Sequence, residues 1–142
     1  QVIHSDTNML SVLQYAIEYL HVKHVIVCGH YGCGGVKAAM DTQHVGLVGR
    51  WLAYIKDIYV ENESVLDRIK DPEERENMMV ELNVIRQVHN LAKTSFVQKA
   101  WKNRELEIHG WVYSLHNGKV IDLNCKYSTI EQLEPIYRFS GL

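Results

Sequence analysis

Residues 24–40 read HVIVCGHYGCGGVKAAM, and this stretch decides the fold. Val25 to Cys28 form an unbroken apolar run rich in β-branched residues, which is typical of a strand covered on both faces in a parallel sheet. Residues 29–35 contain four glycines and predict a turn, and the following VKAAM favours a helix. Because sites in open α/β sheets form just outside the carboxyl ends of strands, we expect the functional site at this turn.

Helical periodicity flanks this unit on both sides. Ahead of it, oxygens of residues 5–7 are candidate caps for a helix that ends near Leu20. Behind it, the sequence predicts an amphipathic helix with one apolar side, formed by Leu47, Trp51, Tyr54, Ile55 and Ile58. A longer helix is capped by Asp71, has Pro72 in its first position and runs, continuous or interrupted, to about Trp101.

The period of the pattern then changes from helical to strand-like. Residues 106–113 alternate between apolar and other side chains, and Asn117-Gly118 is a strong hairpin signal ahead of the return strand VIDL. Residues 128–139 predict a short terminal helix with Ser128 as a cap. No repeat or linker divides the chain. We therefore expect one domain over residues 1–142, α/β in class, with a mainly parallel sheet flanked by helices and a C-terminal hairpin.

Composition narrows the class of protein. The formal charge of −2 and the scattered Lys and Arg give no electrostatic basis for binding nucleic acid, and no apolar run is long enough to span a bilayer. Three cysteines, an odd number, favour reduced thiols and hence a cytoplasmic location over a disulfide framework. Gln1 is not a start methionine and no signal peptide is visible, so we expect that upstream residues have been removed.

His30 and Cys33 are the candidate metal ligands of the glycine-rich turn. Zinc binds imidazole nitrogen and thiolate sulfur, and glycines let the backbone turn tightly enough for both side chains to face one point. A His-x-x-Cys pair alone is a weak signal, and the turn is also compatible with phosphate binding through backbone N–H groups. Cys28 is predicted to be core, and Cys125 has no companion ligand nearby. Six other histidines are predicted at scattered surface or helix-end positions: His4, His21, His24, His44, His89 and His116.

Longer stretches of the sequence resemble one known family. Residues 11–40 (SVLQYAIEYLHVKHVIVCGHYGCGGVKAAM) closely resemble the second zinc-binding segment of β-class carbonic anhydrases, and ELNVIRQVHNL and IHGWVYSLHNGKVIDL resemble the helix and hairpin that follow. The resemblance implies the α/β fold and zinc-dependent, reversible hydration of CO₂ to bicarbonate and a proton by zinc-bound hydroxide. It assigns His30 and Cys33 as zinc ligands and places the Gly34 N–H beside the substrate pocket, with Gly32 and Gly35 as shape residues.

The resemblance also implies regulation and assembly. In one subgroup of the family, the tyrosine of the GWVY position helps to form a noncatalytic bicarbonate site, and Tyr113 matches that position. Alternation alone gives Trp111 and Tyr113 the simpler role of covering one face of a sheet. Family members are dimers or assemblies of dimers, so the expected partners are CO₂ or bicarbonate and further copies of the chain, without nucleic acid or membrane.

One family motif does not occur in the sequence. The first zinc-binding segment, Cys-x-Asp-x-Arg, supplies a second thiolate and the catalytic Asp/Arg dyad, and it is absent from residues 1–142. The resemblance therefore implies the C-terminal two-thirds of the enzyme, which alone binds zinc weakly and has little activity. Two other functions stay open: a noncatalytic bicarbonate-binding or assembly module of the same fold, and a small phosphate-binding α/β domain.

Overall fold

The chain contains three β-strands and six α-helices, and its first and last elements are helical segments. The computed structural model describes all residues 1–142. Its strands are β1 (His24–His30), β2 (Glu107–Tyr113) and β3 (Val120–Asp122). Its α-helices are α1 (Thr7–Gln14), α2 (Gly34–Ala39), α3 (Val48–Glu61), α4 (Glu63–Leu66), α5 (Pro72–Ala92) and α6 (Ser95–Asn103). A π-helical turn spans Tyr15–Tyr19, and 3₁₀ turns span Ile130–Gln132 and Pro135–Tyr137.

The three strands form one sheet in the order β1-β2-β3. The Glu107 amide donates to the Lys23 carbonyl (2.9 Å), and the Tyr31 amide donates to the Tyr113 carbonyl (3.1 Å). These two bonds lie at opposite ends of the pair, so β1 and β2 run in the same direction and are parallel. Strand β3 returns antiparallel to β2 as the second arm of a hairpin. The predicted α/β class, with parallel strands, flanking helices and a C-terminal hairpin, is confirmed.

The chain folds as two compact units, each built from separate stretches. The first contains residues 1–27, 85–111 and 122–142, and the second contains residues 28–84 and 112–121. Buried side chains of the first unit include Ile17, Val88, Leu91, Val97, Leu106, Ile108 and Leu133. Those of the second include Val36, Leu52, Ile55, Ile58, Leu66, Met79 and Val84. The single domain expected from the sequence stays a prediction.

Strand β1 differs from the prediction of a strand buried on both faces. Its residues alternate between exposed and half-buried, and Ile26 is 46% exposed. Cys28 lies on the same exposed face, so its predicted place in the core is wrong. The reason is that β1 is an edge strand with β2 as its one neighbour, and an apolar run alone does not show which face a tertiary neighbour covers.

Two helical predictions need correction. In α3 the buried residues are Leu52, Ile55 and Ile58. Three residues of the predicted apolar side are exposed instead: Leu47, Trp51 and Tyr54. The terminal helix is replaced by two 3₁₀ turns, the first capped by Thr129 rather than by the predicted Ser128. Proline disfavours a helical conformation of the residue before it and has no N–H to donate, so the chain cannot continue as an α-helix through Pro135.

The long helical segment is interrupted between α5 and α6. Asp71 caps its start, because the Asp71 carboxylate accepts from the Glu74 amide at 2.8 Å, as the sequence predicted. Thr94 has an extended conformation (φ −76°, ψ 146°) and precedes the first residue of α6. No helix of the chain combines the length and the apolar composition that crossing a bilayer requires.

Candidate functional site

The turn between β1 and α2 carries His30 and Cys33. His30 is the last residue of β1 and is exposed, and Cys33 is the half-buried N-cap residue of α2. Between them Gly32 has φ +67°, a left-handed conformation that costs a residue with a Cβ about 1–2 kcal/mol. The glycine therefore lets the backbone turn within the three peptide bonds that join His30 to Cys33.

The hydrogen bond of His30 fixes which ring nitrogen is available. Its Nδ1 lies 3.0 Å from the Tyr31 carbonyl oxygen. Because a carbonyl oxygen only accepts, Nδ1 carries the proton in this contact, and Nε2 presents a lone pair. A backbone carbonyl that holds the other ring N–H is the usual way in which a metal-binding histidine is oriented. His30 thus has the tautomer that a zinc ligand needs.

The three cysteines differ in their surroundings, and all three are free thiols. The Cys33 carbonyl accepts from the Lys37 amide at 3.0 Å, which fixes the backbone of this residue at the start of α2. Burial raises the pKa of the Cys125 thiol, which disfavours the thiolate form that binds metals. Cys28 is exposed and its thiol donates only to the Gly29 carbonyl, at 3.5 Å.

Tyr31, between the two candidate ligands, makes a contact that the sequence did not predict. Its hydroxyl donates to the Glu81 carboxylate at 2.6 Å. Burial and this bond to a negatively charged acceptor raise the pKa of Tyr31 to about 12. No local signal connects the two residues, since 50 positions separate them. Tyr31 and Gly32 also line a cleft of about 750 Å³ together with Lys37, Glu73, Glu76 and His116.

Two other predicted site residues lie next to this turn: Gly34 at the start of α2 and Tyr113 at the end of β2. Gly34 is the exposed first residue of α2, so its N–H is one of the first-turn amides that have no partner within a helix. Tyr113 ends β2, and its carbonyl accepts from the Tyr31 amide. The Tyr113 side chain is 37% exposed, and an added Cβ at Gly118 of the hairpin would lie 3.8 Å from its hydroxyl oxygen.

A second cluster lies at the first residues of β1 and β2. His24 Nδ1 is 3.1 Å from His109 Nε2, and Glu107 Oε2 is 3.5 Å from each of these nitrogens. His24, predicted as one of several scattered surface or helix-end histidines, is exposed, but the parallel register also brings it beside His109, 85 positions away, which the sequence did not predict. The other Glu107 oxygen accepts from Lys126 Nζ at 2.7 Å, and this bond holds the pKa of the Glu107 carboxyl below its usual range.

Only one group of three metal-binding side chains has all its donor atoms within 4.8 Å of one another, and it is this second cluster. His30 and Cys33 do not have a third such side chain within that distance of both. Structural zinc sites use four protein ligands, and catalytic ones use three with an open fourth position. The glycine turn thus carries two side chains of zinc-binding chemistry, which is fewer than either kind of site requires.

Comparison with known proteins identifies the family. A family model described as carbonic anhydrase matches residues 1–120. The chain belongs to the carbonic anhydrase family. A carbonic anhydrase of Emericella nidulans is 42% identical over 137 residues, which cover 95% of this chain and 60% of the relative. A carbonic anhydrase of Candida albicans is 31% identical over 131 residues, or 91% of this chain and 47% of the relative.

Solved structures show that the fold is that of β-carbonic anhydrases. A tetrameric β-carbonic anhydrase of Sordaria macrospora matches with a TM-score of 0.83 and 31% identity, over 87% of this chain and 63% of that one. The Coccomyxa β-carbonic anhydrase in complex with acetazolamide matches with a TM-score of 0.84 and 33% identity, over 89% of this chain and 58% of that one. The chain thus spans less than two-thirds of the length of these four relatives and structures.

Proposed function

We propose that the chain is part of a zinc-dependent carbonic anhydrase that reversibly hydrates CO₂ to bicarbonate and a proton. The observation that carries the proposal is the contact of His30 Nδ1 with the Tyr31 carbonyl, which in the neutral ring leaves Nε2 as the free acceptor, three residues from the free Cys33 thiol. Family membership and the β-carbonic anhydrase fold support the same reaction. Bound zinc supplies the means of activating water as a nucleophile at neutral pH.

The residues of this chain would hold and shape the centre. His30 Nε2 and the Cys33 thiolate are the proposed protein ligands, and the remaining ones, with the catalytic Asp/Arg dyad, would come from a Cys-x-Asp-x-Arg segment, which residues 1–142 do not contain. Gly34 is the proposed substrate contact, because its N–H has no partner within α2 and can donate to an oxygen of bicarbonate. The 142 residues alone would then bind zinc weakly and have little hydratase activity.

Two further proposals concern regulation and assembly. Tyr113 is proposed to bind regulatory bicarbonate through its hydroxyl, which is supported by its partial exposure beside the hairpin. Tyr113→Phe should then weaken inhibition by bicarbonate in the whole enzyme, and unchanged inhibition would remove the proposal. We also propose a homo-oligomer, since the matching Sordaria macrospora enzyme is described as tetrameric and β3 exposes Val120 and Ile121.

Three free cysteines support a cytoplasmic location.

Metal analysis and CO₂ hydration kinetics test the main proposal. The 142-residue chain loaded with Co²⁺ should show a thiolate-to-metal charge-transfer absorption that is lost in Cys33→Ser and kept in the matched controls Cys28→Ser and Cys125→Ser. The gene product that includes any upstream Cys-x-Asp-x-Arg segment should bind one zinc through these ligands and hydrate CO₂ in a stopped-flow assay. Full turnover in Cys33→Ser would contradict the proposal. Bicarbonate binding without turnover would support the noncatalytic module instead.

A further inference from the structure

We propose that His24, Glu107 and His109 form a second binding site for a divalent transition-metal ion, of which Zn²⁺ is the probe to use. The site lies at the first residue of β1, whereas His30 is the last residue of that strand. His30 is six residue steps along the extended strand from His24, which corresponds to about 20 Å. The second site therefore shares no ligand with the proposed catalytic centre, and it does not depend on the proposed function.

The separations of the three donor atoms match a common metal ion. Two donors bound to one zinc at tetrahedral angles lie about 3.3 Å apart, and the atoms here are separated by 3.1, 3.5 and 3.5 Å. Within the plane of the three atoms, the point equidistant from them is about 2.0 Å from each. This is the length of a Zn–N or Zn–O bond.

Hydrogen bonding within the cluster accounts for these distances less well. A His–His hydrogen bond explains the 3.1 Å contact between nitrogens. The Glu107 Oε2 atom, however, is 3.5 Å from both nitrogens, which is beyond the usual 2.7–3.2 Å of an N–H···O bond. The carboxylate oxygen therefore lies equally far from two imidazole nitrogens at a distance that suits shared coordination of one ion better than a hydrogen bond to either ring.

The sheet holds the ligands in place. Glu107 and His109 are two residues apart on β2 and therefore project from the same face. The Glu107 amide donates to the Lys23 carbonyl, and this bond sets the register that brings His24 alongside. Ligands on paired strands are positioned more rigidly than ligands on loops, so little conformational freedom is lost when an ion binds.

The surroundings of the cluster agree with metal binding. Lys126 Nζ bonds to Glu107 Oε1 and leaves Oε2 for the ion, in the manner of an outer partner that orients a metal-binding carboxylate. The His109 side chain is 16% exposed and that of His24 is 58% exposed, so one side of the site is open to solvent. Two imidazoles and one carboxylate suit Zn²⁺ and its neighbours in the first transition row, and the open side leaves a coordination position for water or an anion.

The test uses the full chain with Cys33→Ser, which removes the thiolate donor of the other proposed site. Isothermal titration with Zn²⁺ should show one site, and the ring ¹⁵N resonances of His24 and His109 should shift together as it fills. Substituting His109→Gln or Glu107→Gln in this background should weaken the affinity at least about tenfold, because loss of even an outer partner of a ligand costs 10–100-fold.

Two control variants make the test specific. His89→Gln disrupts a different histidine–carboxylate pair, His89 Nε2 with Glu134 Oε2 at 2.9 Å, and should leave zinc affinity unchanged. Lys126→Gln removes the outer partner of Glu107 and should weaken the zinc affinity while keeping the zinc-induced shifts of both histidine rings. The proposal is overturned if Zn²⁺ moves neither ring resonance, or if the His109→Gln and His89→Gln proteins bind zinc equally well. The ring resonances are measured on Cys33→Ser itself, so they decide the matter even if a cluster variant fails to fold.

Discussion

The Tyr31 hydroxyl donates a 2.6 Å hydrogen bond to the Glu81 carboxylate, and this bond ties the glycine-rich turn to helix α5. Tyr31 lies directly after His30, so the contact also restrains the peptide whose carbonyl orients the His30 ring. The bond is thus a structural support of the proposed zinc centre, although neither residue is proposed to touch the metal.

Tyr31→Phe should lower the free energy of unfolding by about 1.5–3 kcal/mol at pH 8, the usual value of a hydrogen bond to a charged partner. Its effect should depend on pH. The pKa of Tyr31 is raised from about 10 to about 12 in the folded state, so folding favours the protonated phenol. This stabilisation is complete below about pH 10 and is lost as the pH rises towards 12. Urea unfolding at several alkaline pH values would measure it. Tyr54→Phe, on the exposed side of α3, is the matched control and should change the free energy of unfolding little.

Gly29→Ala should destabilise the second unit by about 1–3 kcal/mol, the usual cost of overpacking. An added Cβ would lie 2.6 Å from Val84 Cγ2, and a β-branched valine on a helix has little freedom to rotate away. Chemical denaturation would measure the change. Gly34→Ala is the matched control, because no heavy atom lies within 4 Å of its added Cβ. The penalty should shrink when Gly29→Ala is combined with Val84→Ala; an undiminished penalty would show that the clash is not its cause.

Gly32→Ala should weaken zinc binding as well as stability. With φ +67° the substituted residue is strained by about 1–2 kcal/mol, and relief of that strain moves Cys33 relative to His30. Gly46→Ala provides the control, since Gly46 has φ +63° and an equally open environment but lies away from the turn. Both variants should lose similar unfolding free energy, and only the first should lose zinc affinity by titration. Equal zinc affinities would argue against a role for this turn in holding the metal.

Arg104→Ala should destabilise the first unit by about 2–4 kcal/mol, since two charged hydrogen bonds to part-buried carbonyls are lost. The guanidinium donates to the Val22 carbonyl at 2.8 Å and to the Ile17 carbonyl at 2.6 Å. Arg104→Lys should recover only part of the loss, because an ammonium cannot reproduce the forked geometry. Thermal unfolding would report both effects. Lys102→Ala, which removes an exposed contact to the Leu142 carbonyl, should change the midpoint little; a loss as large as that of Arg104→Ala would contradict the assignment.

The local elements of this protein could be predicted because short-range chemistry encodes them. The Asp71 cap, the glycine turn and the Asn117-Gly118 hairpin each depend on residues within a few positions of one another, and the structure contains all three. The packed side of α3 was less predictable. Two overlapping sets of α3 residues have helical spacing: the predicted set 51, 54, 55 and 58, and the buried set 52, 55 and 58. Only the tertiary neighbours select the buried set.

By itself the sequence determined the α/β class, the family resemblance and the turn that carries His30 and Cys33. These features depend on local residue patterns and on continuous stretches of similar sequence. Only the tertiary structure decided which contacts form across long separations. The bond between Tyr31 and Glu81 and the cluster of His24, Glu107 and His109 join residues 50 and 85 positions apart. The physical reason is that strand register and helix packing place these side chains together, and no periodicity within a single segment records which residue of a distant segment will lie opposite.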